Sequence, residues 1–305
     1  MLTHIFFIAL GGAALWRGAD WLVDAASRLA RRFGLSDLVI GLTVVAIGTS
    51  APEFAVTLTA ALDGKGSLSL GNVVGSNIFN LGIILGGVAL FGALPTSRLL
   101  VWRDGMVLLG ATILLLLFLI DGTLSFWEGS LFLVGLITYL VLLLRNREST
   151  TEEAVSTGAF SRWDLLRLIG GLSTVVLGGH LLVEHASQLA TLFGLSDWLI
   201  GLTIVAIGTS LPELATSIMA ALRGRLGLSA GNLIGSDLFN ILGVLGLTAM
   251  VHSVTITRDL YPGLLLMTGQ VVVVLLLLRT GWRLSRTEGC VLIGCGLARW
   301  TTSLV

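Results

Sequence analysis

Residues 41–55 read GLTVVAIGTSAPEFA, and residues 201–215 read GLTIVAIGTSLPELA. A second pair follows downstream, SLSLGNVVGSNIFN at 67–80 and GLSAGNLIGSDLFN at 227–240. Both pairs keep a constant offset of 160 without a gap, and 26 of the 46 residue pairs between 41–86 and 201–246 are identical. Shared apolar composition does not hold glycine, proline, asparagine and glutamate in register. The chain is therefore an internal duplication. The match reaches upstream, with FGLSD at Phe33–Asp37 and again at Phe193–Asp197.

The rest of the sequence says where these copies reside. Of 305 residues, 55% are hydrophobic and only 12% charged, with a mean hydropathy of +0.96. Soluble domains carry about 25% charged residues, and a soluble chain of this length could not hide so much apolar surface from water. A membrane-crossing helix needs roughly 20 mostly apolar residues. Ten stretches qualify, at 4–28, 36–62, 67–93, 101–120, 123–145, 164–190, 196–222, 227–251, 259–279 and 286–304. The first reads as a retained helix with no cleavage site. The predicted fold is an all-α polytopic membrane protein in which the lipid bilayer is the main partner. Cys290 and Cys295 read as packing residues, and most Trp residues, such as Trp102, Trp127, Trp163, Trp198 and Trp282, read as an interfacial belt.

The polar stretch from Arg145 to Arg162 separates two sets of five spans. The first repeat is 1–145 with its motif at 41–86, the linker is 146–162, and the second repeat is 163–305 with its motif at 201–246. Five is odd, so the second copy enters the membrane from the opposite side. Arginine placement agrees. The linker and alternate loops hold Arg28, Arg31, Arg32, Arg98, Arg103, Arg145, Arg147, Arg162, Arg167, Arg223, Arg225, Arg279, Arg283 and Arg286, against Lys65, Arg258 and Arg299 on the other side. Cytoplasmic loops collect such cations. The expectation is a prokaryotic cytoplasmic membrane protein with both termini outside, working as a monomer. Inverted five-helix repeats are a secondary-transporter architecture, with the site at the repeat interface near the midplane.

Two of the four prolines, Pro52 and Pro212, sit mid-membrane in G-T-S-x-P-E. Proline removes a backbone donor, and the nearby glycines Gly48 and Gly208 loosen the same turn. The second and seventh spans should break there and free carbonyls around Ala46, Ile47, Ala206 and Ile207. Beside each proline stands a glutamate, Glu53 or Glu213. Unpaired carboxylates at this depth are costly and mark ion pathways. Thr49, Ser50, Thr209 and Ser210 add hydroxyls within a turn. Oxygen donors of this kind suit the hard cations Na⁺ and Ca²⁺. In the third and eighth spans, Ser76 with Asn80 and Ser236 with Asn240 are spaced i, i+4 on one face. Gly71, Gly75, Gly231 and Gly235 should let these helices approach the broken ones closely. Asp237, about 100° round the helix from Ser236, is expected to face elsewhere. Asp24 and Glu184 are repeat equivalents, beside Arg17 and Asp20 in the first span and His180 in the sixth. They read as charge pairs near helix ends, with a place along an access route as the alternative.

The motifs GTSAPE with GNVVGSNIFN and GTSLPE with GNLIGSDLFN resemble the two α-repeats of the calcium/cation antiporter superfamily, in its prokaryotic Na⁺/Ca²⁺ exchanger branch. The resemblance covers nearly the whole chain. It implies cation sites between the second, third, seventh and eighth spans. Their ligands would be Thr49, Ser50, Glu53, Ser76, Asn80 and the Ala46 carbonyl, with Thr209, Ser210, Glu213, Ser236, Asn240 and the Ala206 carbonyl. The first and sixth spans of relatives slide across this core. Some relatives carry an acid where Asn240 stands. Its absence leaves two motif acids and argues against K⁺ co-transport.

The function expected is antiport of Na⁺ against Ca²⁺, exporting Ca²⁺, with no cofactor. An H⁺/Ca²⁺ exchanger is the alternative, although that branch resembles G-N-x-x-E at this place. A channel would need a continuous pore, whereas inverted repeats suggest a gate on each side. Catalysis lacks support, because no H-E-x-x-H occurs and His4, His180, His185 and His252 form no duplicated cluster. Zero net charge gives a nucleic acid no electrostatic basis.

Overall fold

The computed structural model describes residues 1–145, 161–195, 204 and 206–303. Most of the predicted linker lies outside the described residues, as does the start of the seventh predicted span with Trp198. The first half contains α1 (Leu2–Arg32), α2 (Asp37–Thr49), α3 (Ala51–Leu62), α4 (Gly66–Phe91), α5 (Leu100–Asp121) and α6 (Phe126–Arg145). The second contains α7 (Arg162–Leu192), the short α8 (Ala206–Gly208), α9 (Leu211–Leu222), α10 (Leu226–Val251), α11 (Arg258–Trp282) and α12 (Arg286–Ser303). Each of the ten predicted stretches holds a described helix. Among the described residues, seven helices are long and apolar enough to cross a membrane, and α2 with α3 makes an eighth if the bent pair is one span. Large apolar side chains lie bare on the outside, such as Ile120 and Leu177. In a chain this apolar, that surface faces lipid.

The prolines act where expected. Between α2 and α3, Ser50 has φ −79° and ψ 10°, Pro52 lies in the first turn of α3, and the two axes bend by 47°. Ser210, with φ −88° and ψ 7°, and Pro212 repeat the break before α9. One expectation is corrected. The break does not strip the carbonyls bare, because the Ser50 N–H donates to the Ala46 oxygen at 3.1 Å and the Ser210 N–H to the Ile207 oxygen at 3.1 Å. The Ala46 oxygen also accepts from the Thr49 hydroxyl at 3.4 Å, so both of its lone pairs are engaged. Wider π-helical turns at Gly41–Val45, Asn80–Ile84 and Phe239–Leu245 lie beside the same layer and re-aim its side chains.

The repeats are related by an inverting pseudo-two-fold. α1 and α7 pack against each other in opposite directions, with Gly11 against Gly178 and Gly18 against Gly171. Gly171 and Gly178 are the repeat counterparts of Gly11 and Gly18, so the two contacts are one contact seen twice. Two short antiparallel bridges obey the same relation. β1 (Leu94–Pro95) pairs with β4 (Arg283–Leu284), and β2 (Thr123–Leu124) pairs with β3 (Val254–Thr255). They tie the halves together at opposite ends of α5.

Burial separates a centre from a periphery. In α4 and α10, 78% of the apolar window is buried, against 22% in α1 and in α7. Gly231 and Gly235 let α10 lie directly on α2, against Leu38, Leu42 and Ala46. Repeat partners of Gly71 and Gly75 would be residues 198–206, most of them outside the described residues. At one end, Arg28 holds Asp24 at 2.6 Å and Asp164 at 2.8 Å, Arg225 holds Asp37 at 3.3 Å, and Arg223 pairs with Asp20. These pairs join segments that helix alternation puts on one face. Trp102 and Trp282 stack with Arg279 and Arg98, in keeping with an interfacial belt. Cys290 and Cys295 are free and exposed on α12, so they do not pack the interior as expected.

Candidate cation site

Where the four broken or central helices α2–α3, α4, α9 and α10 meet, the interior turns polar. Thr49, Ser50, Glu53, Asn80, Ser210, Glu213, Ser236 and Asn240 have no exposed surface, and Ser76 and Thr209 are buried. The break places the first turn of α3 and of α9 at mid-span, which aims Glu53 and Glu213 inward from opposite repeats. Each glutamate is held by the serine of the other repeat. The Ser50 hydroxyl donates to Glu213 Oε1 at 3.0 Å, and the Ser210 hydroxyl donates to Glu53 Oε1 at 3.0 Å. The two-fold thus passes between the carboxylates.

Around this pair the repeats differ. Ser236 adds a second hydroxyl bond to Glu213 Oε1 at 3.3 Å. Thr49 reaches Ser236 at 3.4 Å and donates to Asn232 Oδ1 at 3.2 Å. Their counterparts Ser76 and Thr209 keep buried hydroxyls without a hydrogen-bond partner among the described residues. A cavity of about 400 Å³ opens beside Thr209 between α3, α7 and α9, bounded by Pro52, Pro212 and His180. One half of the polar layer is closed, and the other is open towards a cavity.

Free acceptors define what the layer can hold. Glu53 Oε2, Glu213 Oε2, Asn80 Oδ1 and Asn240 Oδ1 are buried and unbonded, as are the Ser76 and Thr209 hydroxyls. No described ion pair includes either glutamate. Buried polar atoms are normally hydrogen-bonded, so a group of orphan oxygens around two carboxylates calls for positive charge. Carboxylate, hydroxyl and amide oxygens form a hard donor set. Among the described residues no three His, Cys, Asp or Glu side chains group as a metal cluster.

The structure thus brings Thr49, Ser50, Glu53, Ser210, Glu213 and Ser236 into contact through hydrogen bonds, and sets Ser76, Asn80, Thr209 and Asn240 in the same buried layer. The Ala46 carbonyl lies one turn from Thr49. Ala206 begins α8. Asp237 is corrected: it does not face away. It is wholly buried, with its Oδ1 accepting from Asn80 Nδ2 at 3.0 Å and its backbone carbonyl accepting from Asn77 Nδ2 at 3.2 Å. Asn77 in turn accepts from Asn240 at 3.0 Å. Around the turn that carries Asp237, α10 is enclosed by other helices, and residues 228–238 are all buried. Asn72 and Asn232 are further residues the reading passed over. Asn72 bonds Thr57 at 3.0 Å, and Asn232 bonds Ser217 at 3.0 Å. The signal was present, since both asparagines follow the first glycine of the duplicated motif. Asp24 is a charge partner of Arg28 at 2.6 Å, as expected, and the Glu184 carboxylate lies 3.8 Å from His180 Nε2.

Comparison with known proteins decides the family. The model of the sodium/calcium exchanger protein family matches residues 3–145 and again 163–295. The chain belongs to the sodium/calcium exchanger protein family. Its relatives include the putative antiporter CaxA of Alkalimonas amylolytica, 38% identical over 96% of both chains, and the sodium/calcium exchanger MaX1 of Methanosarcina acetivorans, 33% identical over 96% of both. The structure is similar to that of the sodium-calcium exchanger NCX_Mj, with a TM-score of 0.87 and 31% identity over 97% of both chains. As a member of the exchanger family, the protein is a multi-pass membrane cation antiporter and not an enzyme, and it needs no cofactor.

Proposed function

We propose that the protein exchanges Na⁺ for Ca²⁺ by alternating access, with Glu53 and Glu213 clamping the divalent ion from opposite repeats. The observation that carries this reading is the crossed pair of serine–glutamate bonds, each leaving a buried carboxylate oxygen without a hydrogen-bond partner among the described residues. Two like charges this deep repel unless a cation sits between them. Thr49, Ser50, Ser76, Asn80 and the Ala46 carbonyl complete the ligands of one repeat. Thr209, Ser210, Ser236, Asn240 and the Ala206 carbonyl complete those of the other. With the 146–162 linker in the cytoplasm and both termini outside, the Na⁺ gradient drives Ca²⁺ out of the cell, and one chain suffices.

The test is ⁴⁵Ca²⁺ uptake into Na⁺-loaded proteoliposomes. Uptake should need internal Na⁺ and should vanish in Glu53→Gln and in Glu213→Gln, while both variants remain folded in detergent. Near-normal flux in either variant would remove the clamp. Uptake that follows an imposed pH gradient without Na⁺ would make the protein an H⁺/Ca²⁺ exchanger.

A further inference from the structure

Asp237 is a third buried carboxylate that the duplication does not explain. Its repeat counterpart is Asn77, so the acid exists in one half only. It belongs to the amide ladder that links α4 and α10 through Asn80, Asn77 and Asn240. When those bonds are counted, three acceptors remain without a donor: Asp237 Oδ2, Asn80 Oδ1 and Asn240 Oδ1. All three side chains have no exposed surface.

Among the described residues no ion pair includes Asp237. Of the elements packed on α10, α9 contributes Glu213, which is another acid. The Asp37 carboxylate of α2 is paired with Arg225. At the start of α5, Asp104 and Arg103 are paired with each other at 2.7 Å. An ionised carboxylate this deep in a membrane protein is retained only where something positive meets it.

We propose that Asp237 is a cation ligand, and that with the amide oxygens of Asn80 and Asn240 it binds one Na⁺ beside the glutamate pair. One carboxylate with two neutral oxygens balances a single positive charge, and all three are hard donors. Divalent charge is matched instead by the two glutamates. The inference rests on the reading of Glu53 and Glu213 as the Ca²⁺ clamp. It raises the carboxylates of the core from two to three, so three Na⁺ are the complement that neutralises it.

The experiment is displacement of bound ⁴⁵Ca²⁺ by Na⁺ on the purified full chain, wild type beside Asp237→Asn. Asparagine keeps the shape and an acceptor for Asn80. Displacement by the wild type should show a Hill coefficient of about three, falling to about two in the variant, with the Na⁺ concentration for half-displacement raised. An unchanged coefficient and midpoint would overturn the assignment. Loss of ⁴⁵Ca²⁺ binding in the wild type itself would instead refute the glutamate clamp. Should Asp237→Asn bind neither ion, the double variant D237N/N240D returns one carboxylate to the same ladder. Recovery of both ions supports the site, and any lesser recovery overturns it.

Discussion

Gly11 and Gly12 are neighbours in α1 with opposite surroundings, and they test whether the inverted pair α1–α7 is assembled as described. A methyl group on Gly11 would stand 2.8 Å from the Gly178 carbonyl oxygen and 2.9 Å from the Leu182 nitrogen, whereas one on Gly12 would meet nothing within 4 Å. Both obstacles at Gly11 are backbone, so no rotamer change relieves them. Either substitution by alanine gains about 1 kcal/mol of helix propensity. Gly11→Ala also incurs overpacking of about 1–3 kcal/mol. The propensity term cancels between neighbours, so Gly11→Ala should be less stable than Gly12→Ala by about 1–3 kcal/mol. Gly171→Ala, whose methyl would stand 2.7 Å from the Leu22 nitrogen and 2.9 Å from the Gly18 oxygen, should behave like Gly11→Ala because the two-fold makes the sites equivalent. Reversible unfolding in mixed micelles measures all three. Equal stability of Gly11→Ala and Gly12→Ala would refute the close antiparallel contact.

Other outcomes follow from the same geometry. Ser210→Ala should impair Ca²⁺ uptake more than Ser50→Ala, because Glu213 keeps the Ser236 hydroxyl while Glu53 has no equivalent bond to Ser76; parallel flux assays decide it. Arg28→Ala should destabilise the fold by about 1–3 kcal/mol, since it removes the partner of half-buried Asp24 and leaves buried Asp164 with Arg167 at 3.5 Å as its remaining cation, and a melting curve in detergent reads the loss. A cysteine placed at Ser149, with Cys290 and Cys295 replaced by serine, should resist impermeant maleimide in intact cells and react after lysis; labelling of intact cells would reverse the orientation.

The sequence carried the duplication, the ten apolar stretches and the serine–glutamate breaks because each rests on a local pattern repeated at a fixed offset. Glu53 and Glu213 were legible for the same reason. Long-range matters were not. Which serine holds which glutamate depends on the two-fold, and Ser50 bonding Glu213 rather than Glu53 is a fact of assembly. The Ala46 carbonyl, expected to be bare, accepts the Ser50 N–H because a bend of 47° does not unwind the last turn before it. Asp237 was misplaced by treating α10 as a helix with an inner and an outer side. Surrounded by other helices, it has polar neighbours in more than one direction.

The unequal networks of the two repeats have a further consequence. Thr49, Ser236 and Asn232 form a joined set, while Thr209, Ser76 and Asn72 are the same residues in the other copy with their cross-repeat links undone. Because the copies are inverted, trading these roles turns the molecule over. Thr209 would then join Asn72 and Ser76, Thr49 would be released, and the open half of the polar layer would pass to the other copy. One list of bonds is written twice, and in this structure one copy of it is fastened. A disulfide between cysteines at Thr49 and Asn232 should trap the present setting, and one between Thr209 and Asn72 the reverse.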